Sequence, residues 1–290
     1  MATIREKGYS HWNGTLRESR FPWWPITRTG ILLTFRKKQF KFFFASAFLP
    51  ALVFLVGIYI SERLEDFKAM FQGAQKFITV DPAYFKNYFT GDFLLFMMVL
   101  ILVFAGAGLI SDDLKHNALQ LYFSRPIGKK EYLLGKAAVV FFFILVLTLV
   151  PGILFILFKI IFAGSLRFLA QYPWIILSVL GYSALLTVFF AAYTLLLSAV
   201  SKNRRYVTIL IFGVYLFSDI VFGILSETFH NPYAALFSLK ANLKQAGAVL
   251  FGQKPPFASP AYLSFLILAG ILAAAAAVLW RRLKGVEEVR

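Results

Sequence analysis

Asp219, in Leu216-Phe-Ser-Asp-Ile220, is the one ionisable residue inside the long apolar runs of this chain. An Asp at the centre of a membrane helix is disfavoured by about 2.5–3.5 kcal/mol on insertion scales. Two roles would justify its presence. It could meet a substrate or cation in a cavity, or it could make a packing hydrogen bond, with Ser218 or Tyr215 as partner. Little else is arranged for chemistry. His11, His116 and His230 are scattered, with no second ligand four residues on, so no metal site is expected. The chain has no Cys, which removes disulfides, thiolate ligands and a cysteine nucleophile. No Gly-x-Ser-x-Gly elbow occurs. No Gly-x-x-x-x-Gly-Lys-Ser/Thr occurs either, so the chain is not expected to bind ATP by a P-loop. Neither catalysis nor a cofactor is expected, and ATP-driven work would need a separate subunit.

The second arrangement of interest is built for binding. Residues 109–136 lie between apolar runs at 93–111 and 137–158. In their first half, Leu114, Ala118, Leu121 and Tyr122 recur at i, i+4, i+7 and i+8, the spacing of one helical face. Asp112 and Asp113 stand at the expected start of this helix, where negative charge is favoured. Pro126 ends it, because the residue before a proline is pushed out of the helical region. A second helix is expected to begin near Lys130 and enter the membrane. Two rigid spans thus hold a polar helical hairpin that something outside the membrane can grip.

The elements that position these residues follow from composition. The chain has 290 residues, is 59% hydrophobic and 15% charged, and has a mean hydropathy of +0.72. Soluble domains average about 45–50% apolar and about 25% charged. The apolar excess falls in blocks near the length that crosses about 30 Å of hydrocarbon. The expected fold is an all-α polytopic membrane protein with six spans, about 42–61, 93–111, 137–158, 174–200, 206–225 and 261–280. Residues 1–41 are read as a tail with an amphipathic interfacial helix over Ile26–Lys41, Ile31, Leu32 and Phe35 facing lipid. Residues 42–280 form the six-span domain, and 281–290 a second tail. Pro50 is expected to kink span 1, and span 4 is expected to be the longest. Residues 226–260 should carry a helix begun by Asn231-Pro232, an N-cap and N1 pair, and another over Leu239–Leu250.

The net charge of +16 does not point to nucleic acid, because the basic residues lie between the spans. Segments 1–41, 112–136, 200–205 and 281–290 hold 21 of the 30 Lys and Arg. The positive-inside rule then places both termini and the hairpin in the cytoplasm. Residues 1–38 contain no h-region, so span 1 is expected to target the chain.

The hairpin resembles the loop between the second and third spans of ATP-binding-cassette permeases of the type-2 exporter class. Ile110-Ser-Asp-Asp, Leu119, Ser124-Arg-Pro-Ile127, Lys130-Glu-Tyr132 and Leu134-Gly-Lys136 carry the resemblance. Asn117-Ala118 stands where Gly-Thr is common, and Asp replaces Glu. The resemblance implies a permease subunit of an ABC transporter in the inner (plasma) membrane. It implies two ATPase subunits and a second permease chain, identical or related, beside membrane lipids. It also implies a coupling helix at 112–126. Its expected ATPase contacts are Asp113, Leu114, Lys115, His116, Asn117, Ala118, Leu121, Tyr122 and Arg125. Asp219 is then a candidate for the substrate pathway. Two alternatives share the span pattern: a membrane scaffold without transport, and an ion-coupled transporter using Asp219.

Overall fold

The computed structural model describes residues 21–63, 79–123 and 127–284. Among these the chain is helical, and six helical stretches are long and apolar enough to cross a membrane. The helices are α1 (Trp24–Phe35), α2 (Lys38–Ser46), α3 (Leu49–Glu62), α4 (Pro82–Phe89), α5 (Asp92–Ala105), α6 (Gly108–Lys115) and α7 (Ala118–Phe123). They continue as α8 (Lys129–Ala163), α9 (Arg167–Gln171), α10 (Ile175–Val200), α11 (Arg204–Phe229), a 3-10 turn (Pro232–Phe237), α12 (Leu239–Leu250) and α13 (Ala261–Lys284).

The six spans are not equivalent. In the most apolar windows of spans 2, 3 and 4, 61%, 56% and 56% of residues are buried, against 22%, 17% and 22% in spans 1, 5 and 6. Spans 2 to 4 therefore form the core, and the other three lie mostly exposed at its periphery. Alternate ends of the spans fall together. One end gathers Lys37, the hairpin and Arg204, and is called the basic end below. The far end gathers Asp92, the 3-10 turn and α12.

Proline and glycine set where the helices break. Pro50 does not simply bend span 1. The span is split at Ala47-Phe48, with Pro50 in the first turn of α3, where a missing N–H costs nothing. Span 2 is interrupted at Gly106-Ala107. A Cβ at Gly106 would collide with Thr194 of α10, so this glycine lets two core spans touch. The groups freed by the break are taken up by Ser198 of α10. Its hydroxyl accepts from Ile110 N (2.9 Å) and Ser111 N (3.1 Å) and donates to Ala107 O (3.0 Å). Without water, such internal satisfaction is what makes a broken helix tolerable in a membrane.

Span 3, not span 4, is the longest: α8 has 35 residues and α10 has 26. Pro151 lies inside α8, removing the N–H that would bond Leu147 O four residues back. Tyr88 of α4 replaces that donor, its hydroxyl lying 2.8 Å from Leu147 O. This bond, with buried Phe85 and Phe89, holds α4 against the core. The 159–172 link is correspondingly short, since α8 runs to Ala163 and α9 follows.

The interfacial helix also differs from expectation. One helix over 26–41 is replaced by α1 and the start of α2, because Lys37 is extended (φ −79°, ψ 118°). Ile31 and Phe35 pack partly against the core instead of facing lipid. Thr27 and Thr34 are buried, while Leu32 and Leu33 are each 52% exposed. The reason is that α1 lies along α8, where the Thr27 hydroxyl donates to Gly135 O at 3.0 Å. The 226–260 segment forms as expected, with Asn231 and Ser238 capping the 3-10 turn and α12.

Candidate functional site

The hairpin is not one amphipathic helix. Helix α6 ends at Lys115, Asn117 takes a left-handed conformation (φ 52°), and α7 starts afresh at Ala118. Asn is among the few residues that tolerate this conformation. Asp112 and Asp113 consequently lie in the last turn of α6, not at a helix start. Leu114 and Leu121 belong to different helices and do not share one face. Leu119, 3% exposed, is the inward residue of α7 and packs with Tyr132. Leu121 is 71% exposed.

Asp113 is turned inward. Its carboxylate accepts from Tyr132 Oη at 2.7 Å and pairs with Lys136 Nζ at 2.6 Å, both partners on α8. Lys136 and Asp113 are only 10% and 14% exposed. The Tyr122 and Tyr132 rings lie 5.2 Å apart, and the Lys136 ammonium is 5.6 and 5.4 Å from their centroids. Tyr122 therefore also belongs partly to this joint. Gly135 admits α1, because a Cβ there would lie 3.0 Å from both Ile26 and Trp23 O. Thus Tyr132, Gly135 and Lys136, three residues of the sequence pattern, fasten the hairpin and α1 to span 3. Of the expected contact residues, Lys115, His116, Asn117 and Leu121 are exposed, and Leu114 and Ala118 are half-buried. Arg125 lies outside the described residues.

Beside the joint is a cavity of about 920 Å³, between α1, the break in span 2, the hairpin and the start of α11. Sequence reasoning did not identify its cations. Lys37 Nζ lies 2.7 Å from Phe104 O. Arg204 reaches the same carbonyl at 3.5 Å and Asp112 at 3.6 Å. Phe104 precedes the helix break, where carbonyls lose their intrahelical donors. Burial and the nearby Arg204 lower the Lys37 pKa to about 8, against the opposing pull of Asp112.

Asp219 is not a solitary charge. Its carboxylate accepts from Ser238 Oγ at 3.0 Å and pairs with Lys240 at 2.6 Å. Lys240 also meets Asp92 at 3.3 Å, and Lys244 meets Asp92 at 2.7 Å. Ser218 accepts from Leu239 N at 3.2 Å, so it holds the start of α12 and does not bond Asp219. Burial alone would lower the Lys240 pKa; the hydrogen bond and charge of Asp219, with Asp92, raise it instead. The network joins spans 2 and 5 to α12. Its one sequence-level signal was the i, i+4 spacing of Lys240 and Lys244, which puts both ammonium groups on one face. Glu62 and Lys159 form a further ion pair at this end, between spans 1 and 3. Among the described residues no group of His, Asp and Glu could hold a metal ion.

The arrangement is that of a membrane helical domain with a fastened polar hairpin at one end. The profile of ABC-2 family transporter proteins matches residues 31–246, most of the chain. The chain belongs to this family, so it is the membrane-spanning component of an ABC transporter. No curated protein matches it.

Proposed function

We propose that this chain forms the translocation pathway of an ATP-driven exporter in the inner (plasma) membrane. It pairs with a second permease chain, identical or related, and two ATPase subunits drive it through the 112–126 hairpin. Residues 1–41 and 281–290 are cytoplasmic, flanking the 42–280 six-span domain.

The observation that carries this reading is the Asp113–Tyr132–Lys136 joint. It couples the hairpin to span 3 through charged and hydrogen-bonded contacts, while Lys115, His116, Asn117 and Leu121 stay exposed. A push on the exposed tip is delivered to a core span. Asp113 is on this reading a transmitting residue, and the ATPase meets the tip. The open cavity at the basic end and the ion network at the far end favour a state reached from the cytoplasm, one of the two states that alternating access requires. The pairing of Asp219 with Lys240 favours a closing role over ion coupling.

Leu121→Glu tests the coupling. A helix seated in a groove concentrates its binding in few side chains, each costing about 2 kcal/mol or more when lost. The variant should insert normally, lose ATPase association by at least roughly tenfold, and lose substrate-stimulated ATP hydrolysis. Phe237→Glu, at a position 63% exposed at the far end, should leave association intact. Cysteines at Asn117 and Asn203 should react only from the cytoplasm, and ones at Asn231 and Lys254 only from outside. Wild-type association of Leu121→Glu, or external labelling at Asn117, would overturn the reading.

A further inference from the structure

The cavity at the basic end contains an unmatched cation. Its ionised side chains are Lys37, Lys136, Arg204, Asp112 and Asp113. Lys136 is matched by Asp113, and Arg204 by Asp112. Lys37 is left with a neutral acceptor, the carbonyl of Phe104, and among the described residues no carboxylate lies within ion-pair distance of it. Lys37 is half-buried, and a cation withdrawn from water normally finds an anion. One carbonyl leaves two of the three ammonium donors free to make that match. The 3.6 Å contact of Arg204 with Asp112 is long for a charge-assisted bond, so guanidinium donors are available beside them.

The remaining walls are mostly apolar, with Thr29, Thr34 and Tyr122 among them. Leu33 of α1 lines the cavity and is 52% exposed, and Leu32, its neighbour in sequence, is 52% exposed as well. The space, about 920 Å³, greatly exceeds a phosphate ion. It lies where α1 meets the ends of spans 2, 3 and 5, the depth of lipid headgroups. Basic pockets between spans at this level suit anionic headgroups. We propose that the cavity binds one anionic phospholipid, its phosphodiester between Lys37 and Arg204 and its acyl chains along Leu33 and Leu32. The bound lipid would bridge α1, the break in span 2, span 5 and the hairpin. Lipid capture here requires neither transport nor an ATPase, so it can succeed or fail apart from the export reading.

The test is thermal unfolding of the purified chain in neutral detergent with phosphatidylglycerol, phosphatidylcholine or glycerol 3-phosphate. Phosphatidylglycerol should raise the Tm by about 3 °C or more, and the other two should not. Lys37→Gln should abolish the increment. So should Thr29→Trp, which fills the cavity from an exposed lining residue and leaves every charge in place. Arg205→Gln, an exposed cation at the same end, should retain it. If Lys37→Gln does not fold, Thr29→Trp and the lipid comparison decide. An equal rise with phosphatidylcholine, an equal loss in Arg205→Gln, or an increment retained in Thr29→Trp would overturn the proposal. An equal rise with glycerol 3-phosphate would make the ligand a free phosphate and overturn the lipid.

Discussion

At the far end of the bundle, Asp92 and Asp219 face Lys240 and Lys244, two charges of each sign on three elements. The backbone there is also closed from within. Gln245 donates to Ser259 O at 2.6 Å and accepts from Phe257 N at 3.2 Å, and Asn242 donates to Leu236 O at 2.8 Å. At the basic end Asp113 and Lys136 are matched more deeply, but among the described residues no carboxylate pairs with Lys37, and a cavity stands beside it. A region whose facing charges pair with one another, even with Asn242 Oδ1 and Ser259 Oγ left without a partner, is closed from within. A region with an unanswered cation and an exposed tip is one that other molecules complete. The difference teaches where partners belong, and it arises from side-chain pairing, not from hydrophobicity.

The strongest way to break this contrast is at Asp113. Asp113→Ala strands Lys136, 10% exposed, and removes one hydrogen-bond acceptor of Tyr132 Oη. Breaking a buried pair from one side costs about 3–5 kcal/mol. The Tm should fall further than for any single charge removed at the far end, with Asp113→Asn falling less. Asp219→Ala matching that loss would show the two ends to be held equally.

A smaller effect is expected from Asp219→Asn. Lys240 keeps Asp92 at 3.3 Å and is itself 25% exposed, so the loss should be on the order of 1 kcal/mol. The more telling readout is access. A cysteine at Ala241, 2% exposed, should react faster with an impermeant thiol reagent once Asp219 is neutralised. An unchanged rate would mean that this pair does not hold α12 down.

The last effect is in pH, and its sign differs between the ends. The Lys37 pKa falls from 10.5 to about 8 on folding. Between those values the unfolded chain holds more protons, so this residue makes stability rise with pH. The Lys240 pKa is raised on folding, so its contribution is full below its ordinary value and is lost as pH rises through the folded one. Subtracting Lys37→Gln from wild type in unfolding scans at pH 7.5 and 9.5 should therefore leave a small rise. A flat or falling difference would place Lys37 in water.

Much of this architecture was legible in the sequence. Six apolar runs of spanning length became six helical spans, and Asn231-Pro232 opened a turn of helix as capping chemistry requires. The hairpin's place was legible too, and Tyr132, Gly135 and Lys136 gained a physical meaning as its fastening. The breaks were not legible. Periodicity ran smoothly across Gly106 and His116-Asn117, because apolar spacing does not record whether a distant Ser198 will fill a gap. Asp219 looked solitary for the same reason. Its partners Ser238 and Lys240 lie beyond a turn, and only tertiary packing brings them back. Lys37 stands in the basic run Arg36-Lys37-Lys38, and nothing local distinguishes a lysine that turns inward.

Spans 2 and 3, each with a backbone gap filled by a hydroxyl from another helix, also differ in the order of their manufacture. Tyr88 is translated well before Leu147 and Pro151, so the hydroxyl that relieves the proline gap is already waiting when span 3 enters the bilayer. Ser198 is translated long after Ile110 and Ser111. Until Ser198 is made, the Ile110 and Ser111 amides lack the acceptor that they have in the folded chain. Membrane integration of this chain should thus tolerate truncation after span 4 far better than truncation after span 3.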